Sequence, residues 1–133
     1  MQPLKFVRLW LTLGWILIGL VVLFSLLPEP LPIMDMEQGD KAAHLFAYMI
    51  LMLWFSNIYG RKLLQMWLGI GLLMMGFSLE LLQDFSRYRT FQYADLLANG
   101  FGVLMGWTLA NTLFAHSLLR LDRWLVRVRE GIT

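Results

Sequence analysis

The sequence predicts an all-α membrane protein: a four-helix transmembrane bundle with its N- and C-termini in the cytoplasm. Three observations carry that reading. First, the 133 residues (15.5 kDa) are 59% hydrophobic and only 15% charged, with a mean hydropathy of +0.62; soluble domains run near 25% charged. So small a globule has a large surface for its volume and could not cover it with so few charges. Second, the charges punctuate the chain into four long apolar stretches. Third, the basic residues gather on alternate connections between them. Together these argue against a soluble enzyme, a disordered chain and a nucleic-acid binder. With no Cys there is no disulfide framework, zinc-thiolate site or thiol nucleophile.

The elements follow in order, within a single domain over 1–133. Between Arg8 and Glu29 lie 20 residues without a charge, between Lys41 and Arg61 19, between Lys62 and Asp84 21 interrupted only by Glu80, and between Asp95 and Arg120 24. About 20 apolar residues rising 1.5 Å each cross a bilayer, which predicts spans at about 9–28, 42–60, 63–83 and 96–119. The runs are continuous rather than alternating every second residue, so strands are not expected. The first span has a basic start in Lys5 and Arg8, but its apolar run exceeds that of a cleaved signal peptide and no small-x-small site follows. Pro28-Glu29-Pro30-Leu31-Pro32 follows instead and predicts an extended exit from a retained anchor. Residues 120–133 read as a basic cytoplasmic tail. There Arg120, Arg123 and Arg127 share one helical face and Leu121, Trp124, Leu125 and Val128 lie largely opposite, a pattern suited to anchoring at anionic lipid. Trp10 and Trp124 fall near the inner interface, and His116 reads as interfacial.

Orientation comes from Lys and Arg near the span ends. Lys5, Arg8, Arg61, Lys62, Arg120, Arg123, Arg127 and Arg129 fall on one side; only Lys41, Arg87 and Arg89 fall on the other. That places both termini in the cytoplasm, and a bacterial cytoplasmic (inner) membrane fits. Seven of the nine acidic residues lie at or just inside the outer boundary: Glu29, Asp35, Glu37, Asp40, Glu80, Asp84 and Asp95.

The candidate site lies at that outer end. Span two begins Asp40-Lys41-x-x-His44-x-x-x-Tyr48, whose four-residue spacing stacks Asp40, His44 and Tyr48 on one face. Span three ends Glu80-x-x-Gln83-Asp84, again on one face. Span four begins Asp95-x-x-x-Asn99-x-x-Gly102-x-x-x-Gly106. Neighbouring helices run in opposite directions, yet these polar ends coincide in depth. Glu80 lies about one turn inside the span end, where a carboxylate needs a partner, hydration or a proton. Gly102 and Gly106, like Gly69 and Gly76, permit close helix approach.

In their order and spacing, Asp40-Lys41-x-x-His44-x-x-x-Tyr48, then Glu80-x-x-Gln83, Arg89 and Asp95-x-x-x-Asn99-x-x-Gly102-x-x-x-Gly106 resemble the VanZ-like family of small integral membrane proteins. The resemblance covers about residues 28–110. It implies a multi-span membrane domain. The family's name comes from a member associated with resistance to the glycopeptide teicoplanin, but the name supplies no reaction. A role at the outer face, where cell-wall precursors are displayed, is compatible with the cluster.

Two functional readings follow. In one, the cluster binds or processes a polar or phosphorylated envelope lipid or cell-wall precursor. Lys41 and Arg89 hold phosphate, and His44 and Glu80 form an acid/base pair. Asp95 orients His44, while Asp40, Tyr48, Gln83 and Asn99 complete the site. In the other, a non-enzymatic protein uses the cluster to bind an envelope partner or lock its helices. Membrane lipids are the expected partners and nucleic acid is not. The residues leave open whether a reaction is catalysed and whether the chain oligomerises. No cofactor is expected. Nor is a metal: Asp40, His44, Glu80, Asp84 and Asp95 supply ligand types in principle, but with one His, no Cys and competing Lys and Arg.

Overall fold

The computed structural model describes residues 3–27, 37–85 and 92–131. These form five helices: α1 (Val7–Ser25), α2 (Glu37–Ile58), α3 (Lys62–Phe85), α4 (Tyr93–Asn111) and α5 (Ser117–Arg129). The proline segment at 28–32, Asp35, Arg87 and Arg89 lie outside the described residues, as do the side chains of Glu37 and Gln38.

Three of these helices are long and apolar enough to cross a membrane: Val7–Ser25, Gly39–Ile58 and Lys62–Phe85. They leave large apolar side chains uncovered, among them Trp15 and Leu23 on α1 and Trp67 and Met74 on α3. Such surface is stable against lipid tails, not water. The fourth helix is not among these three; Asp95, Asn99 and Asn111 interrupt its apolar run.

The central element is α2. It packs against α1, α3, α4 and α5 and supplies Tyr48, Leu51, Met52, Phe55 and Ile58 to the core, which Trp10, Leu72, Val103 and Leu118 complete. Its pairing with α4 is the most extensive in the molecule, because glycines let the backbones meet. A Cβ on Gly102 would collide with the Leu45 carbonyl oxygen, and one on Gly106 with that of Met49. The numbers rise together, so α2 and α4 run parallel. The α3 helix runs against both: Gly76 faces Tyr48 and Asn99, while Gly69 faces Met52 and Val103. Its buried stripe, Gln65, Gly69, Leu72, Gly76, Leu79, Glu80 and Gln83, follows the helical repeat. Relative to α2, α1 is antiparallel. Trp10 stacks edge-on against Trp54 at 6.0 Å and its carbonyl accepts from the Trp54 indole at 3.0 Å. At the far end of α1 the Ser25 carbonyl accepts from the Gln83 amide at 2.6 Å.

The unbroken helix expected over 96–119 is two helices. The first starts at Tyr93 and ends at Asn111; a turn over 112–116 leads into α5. Side chains at the break bond back to the helix's own carbonyls: Thr108 to Leu104 (2.9 Å), Asn111 to Trp107 (2.7 Å) and Thr112 to Thr108 (2.8 Å). That competition weakens the backbone ladder. His116 then takes a left-handed conformation at φ 62°, which redirects the chain.

What α5 gains is a contact with the start of α1. Asp122 is buried and accepts from the Lys5 amide (2.8 Å), the Phe6 amide (3.0 Å) and the Trp10 indole (2.7 Å). Phe6 caps α1 with no side-chain cap of its own, so Asp122 satisfies amides that would otherwise be orphaned. Leu118 and Leu125 pack inward beside it, while Leu121, Trp124 and Val128 stay exposed. The apolar face expected of the tail is therefore divided: Leu125 faces protein and the other three do not. Trp10, expected at the interface, is buried.

Candidate functional site

The polar end of the molecule is built where α2 and α4 start and α3 stops. On α2, Asp40, His44 and Tyr48 are all buried, Asp40 at 6% and His44 at 7% exposure; on α4, Asp95 (1%) and Asn99 are as deep. The parallel, glycine-mediated contact of α2 with α4 aligns the two first turns. His44 Nδ1 donates to Asn99 Oδ1 at 3.1 Å. Its Nε2 lies 3.8 Å from Asp40 Oδ1, too far for a hydrogen bond. One potential ligand atom from each of Asp40, His44 and Asp95 lies within 4.8 Å of the other two. Asn99, not Asp95, therefore makes the hydrogen bond that fixes the His44 ring.

Glu80 arrives from α3, one turn beyond Gly76. It is 2% exposed, and its Oε1 accepts from the Gln92 amide at 2.7 Å. Gln92 precedes α4 as its N-cap residue, so Glu80 sits at the positive end of that helix. This position lowers the cost of burying its charge. Glu80 is also within electrostatic reach of the Tyr48 phenol. A Cβ on Gly76 would lie 2.7 Å from Asn99 Nδ2 and 2.8 Å from the Tyr48 hydroxyl, so those two groups converge on one spot against the α3 backbone. Among the described residues His44 Nε2, the Tyr48 hydroxyl and Asn99 Nδ2 are buried with no hydrogen-bond partner. Buried polar atoms in native proteins are nearly always bonded, and the Tyr48 hydroxyl and Asn99 Nδ2, which meet at Gly76, are the pair that a ligand's polar group could bond.

The other expected site residues divide. The Gln83 amide nitrogen is engaged by Ser25 of α1. Lys41 is half-buried beside Asp40, and Asp84 is exposed. Arg89 lies outside the described residues. Gly102 and Gly106 face α2 rather than the cluster.

Polar side chains are not confined to this end. At the opposite one Gln65 donates to the Ser56 carbonyl (3.1 Å) and accepts from the Trp107 indole (3.0 Å) and Asn111 (3.2 Å). Lys62 caps this network by bonding Asn111 and lying over the Trp107 ring, 5.1 Å from its centroid. Gln65 shares the helical stripe of Gly69 and Gly76, which is the signal in the sequence that points to it. A groove of about 640 Å³ runs between α3 and α4 past Gly69, Ile70, Val103, Leu104 and Trp107. It is apolar and separate from the His44 cluster.

The family model for VanZ/LLP1 matches residues 2–115. The chain belongs to the VanZ/LLP1 family. The match takes in α1 as well as the three helices that build the site, and it closes before α5, the element that Asp122 ties to the N-terminus. No curated protein and no solved structure matches the chain. Within this VanZ/LLP1 protein, the order Asp40, His44, Tyr48, Glu80, Asp95 and Asn99 along the sequence corresponds to one buried cluster in space.

Proposed function

We propose that this VanZ/LLP1 protein is a four-span protein of the bacterial cytoplasmic membrane that binds the phosphorylated headgroup of an envelope lipid or lipid-linked cell-wall precursor at its outer face. The observation that carries the reading is the pair formed by the Tyr48 hydroxyl and Asn99 Nδ2, which converge on one spot against Gly76 and are buried without hydrogen-bond partners among the described residues, with His44 bonded to the same Asn99. A phenol and an amide both donate hydrogen bonds to phosphate oxygens. Lys41 and, from the sequence, Arg89 supply positive charge at the same end. Positive-inside counting puts this end outside, and α4 is the fourth span, its polar residues turned toward α2 and α3.

The test is retention of a polyprenyl phosphate by the detergent-purified protein in native mass spectrometry, with phosphatidylcholine as competitor. Wild type retains the phosphorylated lipid. His44→Ala and Tyr48→Phe retain at least tenfold less while melting within a few degrees of wild type. Equal retention in all three sinks the reading. In cells, expression of the wild type raises teicoplanin tolerance and His44→Ala does not.

A second reading, that the cluster locks the helices, is favoured at two residues: Glu80 holds the Gln92 amide and Gln83 holds the Ser25 carbonyl. Glu80→Ala then lowers thermal stability, whereas Glu80→Gln, which still accepts at one oxygen, largely keeps it. If Glu80→Gln is as stable as wild type yet loses the lipid, Glu80 belongs to the binding site as well.

A further inference from the structure

We propose that Asp40, His44 and Asp95 form a zinc site, with His44 coordinating through Nε2. This deepens the headgroup reading and rests on it only for what occupies the open coordination position. The spacing suits an ion. Ligand atoms about 2.1 Å from a tetrahedral zinc stand about 3.4 Å apart. The 3.8 Å between His44 Nε2 and Asp40 Oδ1 is close to that, and all three residues offer a ligand atom within 4.8 Å of the others.

The histidine separates this cluster from a mere gathering of acids. Its ring is 7% exposed, and Nε2 has no hydrogen-bond partner among the described residues. On the other side of the ring Nδ1 donates to the Asn99 oxygen. That bond fixes the tautomer with the proton on Nδ1 and a lone pair on Nε2, the arrangement in which a ligating histidine is held by an outer hydrogen bond. A lysine or arginine could neutralise the two carboxylates, but that leaves the imidazole lone pair unexplained. A divalent cation takes up that lone pair together with one oxygen from each carboxylate.

The donor set selects the ion. One imidazole nitrogen and two carboxylates are borderline ligands that suit zinc, and manganese more weakly. Calcium takes six to eight oxygens and magnesium keeps its waters. Three protein ligands leave a fourth position open, as in zinc sites that take an exchangeable ligand. A phosphate oxygen of the headgroup would be that exchangeable ligand. Coordination uses the lone pair that a general base would need, so His44 is a ligand and not the base.

The experiment is calorimetric titration of detergent-purified, chelator-treated protein with zinc alone and with manganese alone, followed by cobalt substitution. Wild type binds one zinc per chain, more tightly than manganese. Cobalt gives the visible absorption of a low-coordinate nitrogen–oxygen site, and zinc raises the melting temperature in a way that EDTA reverses. His44→Ala and Asp95→Asn each lose at least tenfold in affinity, while His116→Ala, at the exposed histidine, loses none. If these site variants do not fold, the cobalt spectrum and the reversible zinc shift of the wild type still decide the matter. Absence of saturable zinc and cobalt binding by wild type overturns the proposal, as does binding unchanged by both site variants. Polyprenyl phosphate retained in EDTA by a protein that binds no zinc refutes the metal and leaves the headgroup reading standing. Zinc bound in stoichiometric amount with no phosphorylated lipid retained does the reverse.

Discussion

Gly102, Gly76 and Gly71 are the same residue type in neighbouring helices, yet each predicts a different consequence of one added methyl group. At Gly102 the new Cβ strikes the Leu45 carbonyl of α2, and at Gly106 that of Met49. Backbone cannot rotate aside, so the helices must separate. Overpacking of this kind costs about 1–3 kcal/mol, and Gly102→Ala and Gly106→Ala should melt well below wild type in detergent. At Gly71 nothing lies within 4 Å, and Gly71→Ala removes only the helical penalty of glycine. It should be neutral or stabilising by up to about 1 kcal/mol. Gly76→Ala is intermediate: its Cβ meets the Tyr48 phenol and the Asn99 amide, side chains that can shift. Its cost in stability should be smaller than that of Gly102→Ala, but it should impair binding of lipid phosphate or zinc by moving both groups. Thermal melts of the four variants check the order. A neutral Gly102→Ala would contradict the backbone contact described for α2 and α4.

Among the elements, α5 shows what an amphipathic pattern leaves unsaid. The sequence reading assigned the tail's charges to the membrane surface and gave Asp122 no part, because periodicity cannot show that an aspartate will meet amides 116 and 117 residues away. Its pKa is opposed by two effects. Burial pushes the carboxyl up, but hydrogen bonds from the Trp10 indole and the Lys5 and Phe6 amides, with the Lys5 charge, hold it below the ordinary 3.8. A carboxylate depressed in the folded state adds stability that is complete above its unfolded value and is lost as pH falls from there through the folded value. Asp122→Asn should therefore be less stable at neutral pH, by about 1–3 kcal/mol for charged hydrogen bonds. That gap should narrow below pH 3.8 as wild type loses the same charge. Hydrogen exchange at the Lys5 and Phe6 amides reports it locally, and a gap that does not change with pH counts against the carboxylate. The Asp40–His44–Tyr48 and Asp95–Asn99 faces, by contrast, were legible because a helix puts residues four apart together whatever surrounds it. The break at Asn111 was not, since an apolar run gives no sign of where side chains will bond back to their own carbonyls. Nor was the Gln65 network at the opposite end, where uncharged amides leave the hydropathy pattern almost undisturbed.

For the whole molecule, the alternating directions of α1 to α4 mean that one orientation in the membrane decides the side on which the His44 cluster faces. The charges argue for a single answer. Eight basic residues flank the ends that hold Gln65 and α5, and three flank the ends that hold His44 and Glu80. Lys and Arg near span ends favour the cytoplasmic side during insertion, so the side with eight is expected inside. The apolar exposed residues of α5, Leu121, Trp124 and Val128, would then lie at the inner leaflet, with Arg120, Arg123 and Arg127 near anionic headgroups. The chain contains no cysteine, so single cysteines can report orientation without a background. Phe85→Cys and Tyr93→Cys stand at exposed positions at the polar end, and Arg61→Cys and Gly131→Cys at exposed positions at the other. In intact bacterial cells a membrane-impermeant maleimide should label the first pair at least several-fold faster than the second, and lysis should abolish the difference. The reverse order would put the His44 cluster in the cytoplasm, out of reach of a precursor displayed outside. Equal protection of Phe85→Cys and Gly131→Cys from both sides would mean that α4 does not complete a fourth crossing.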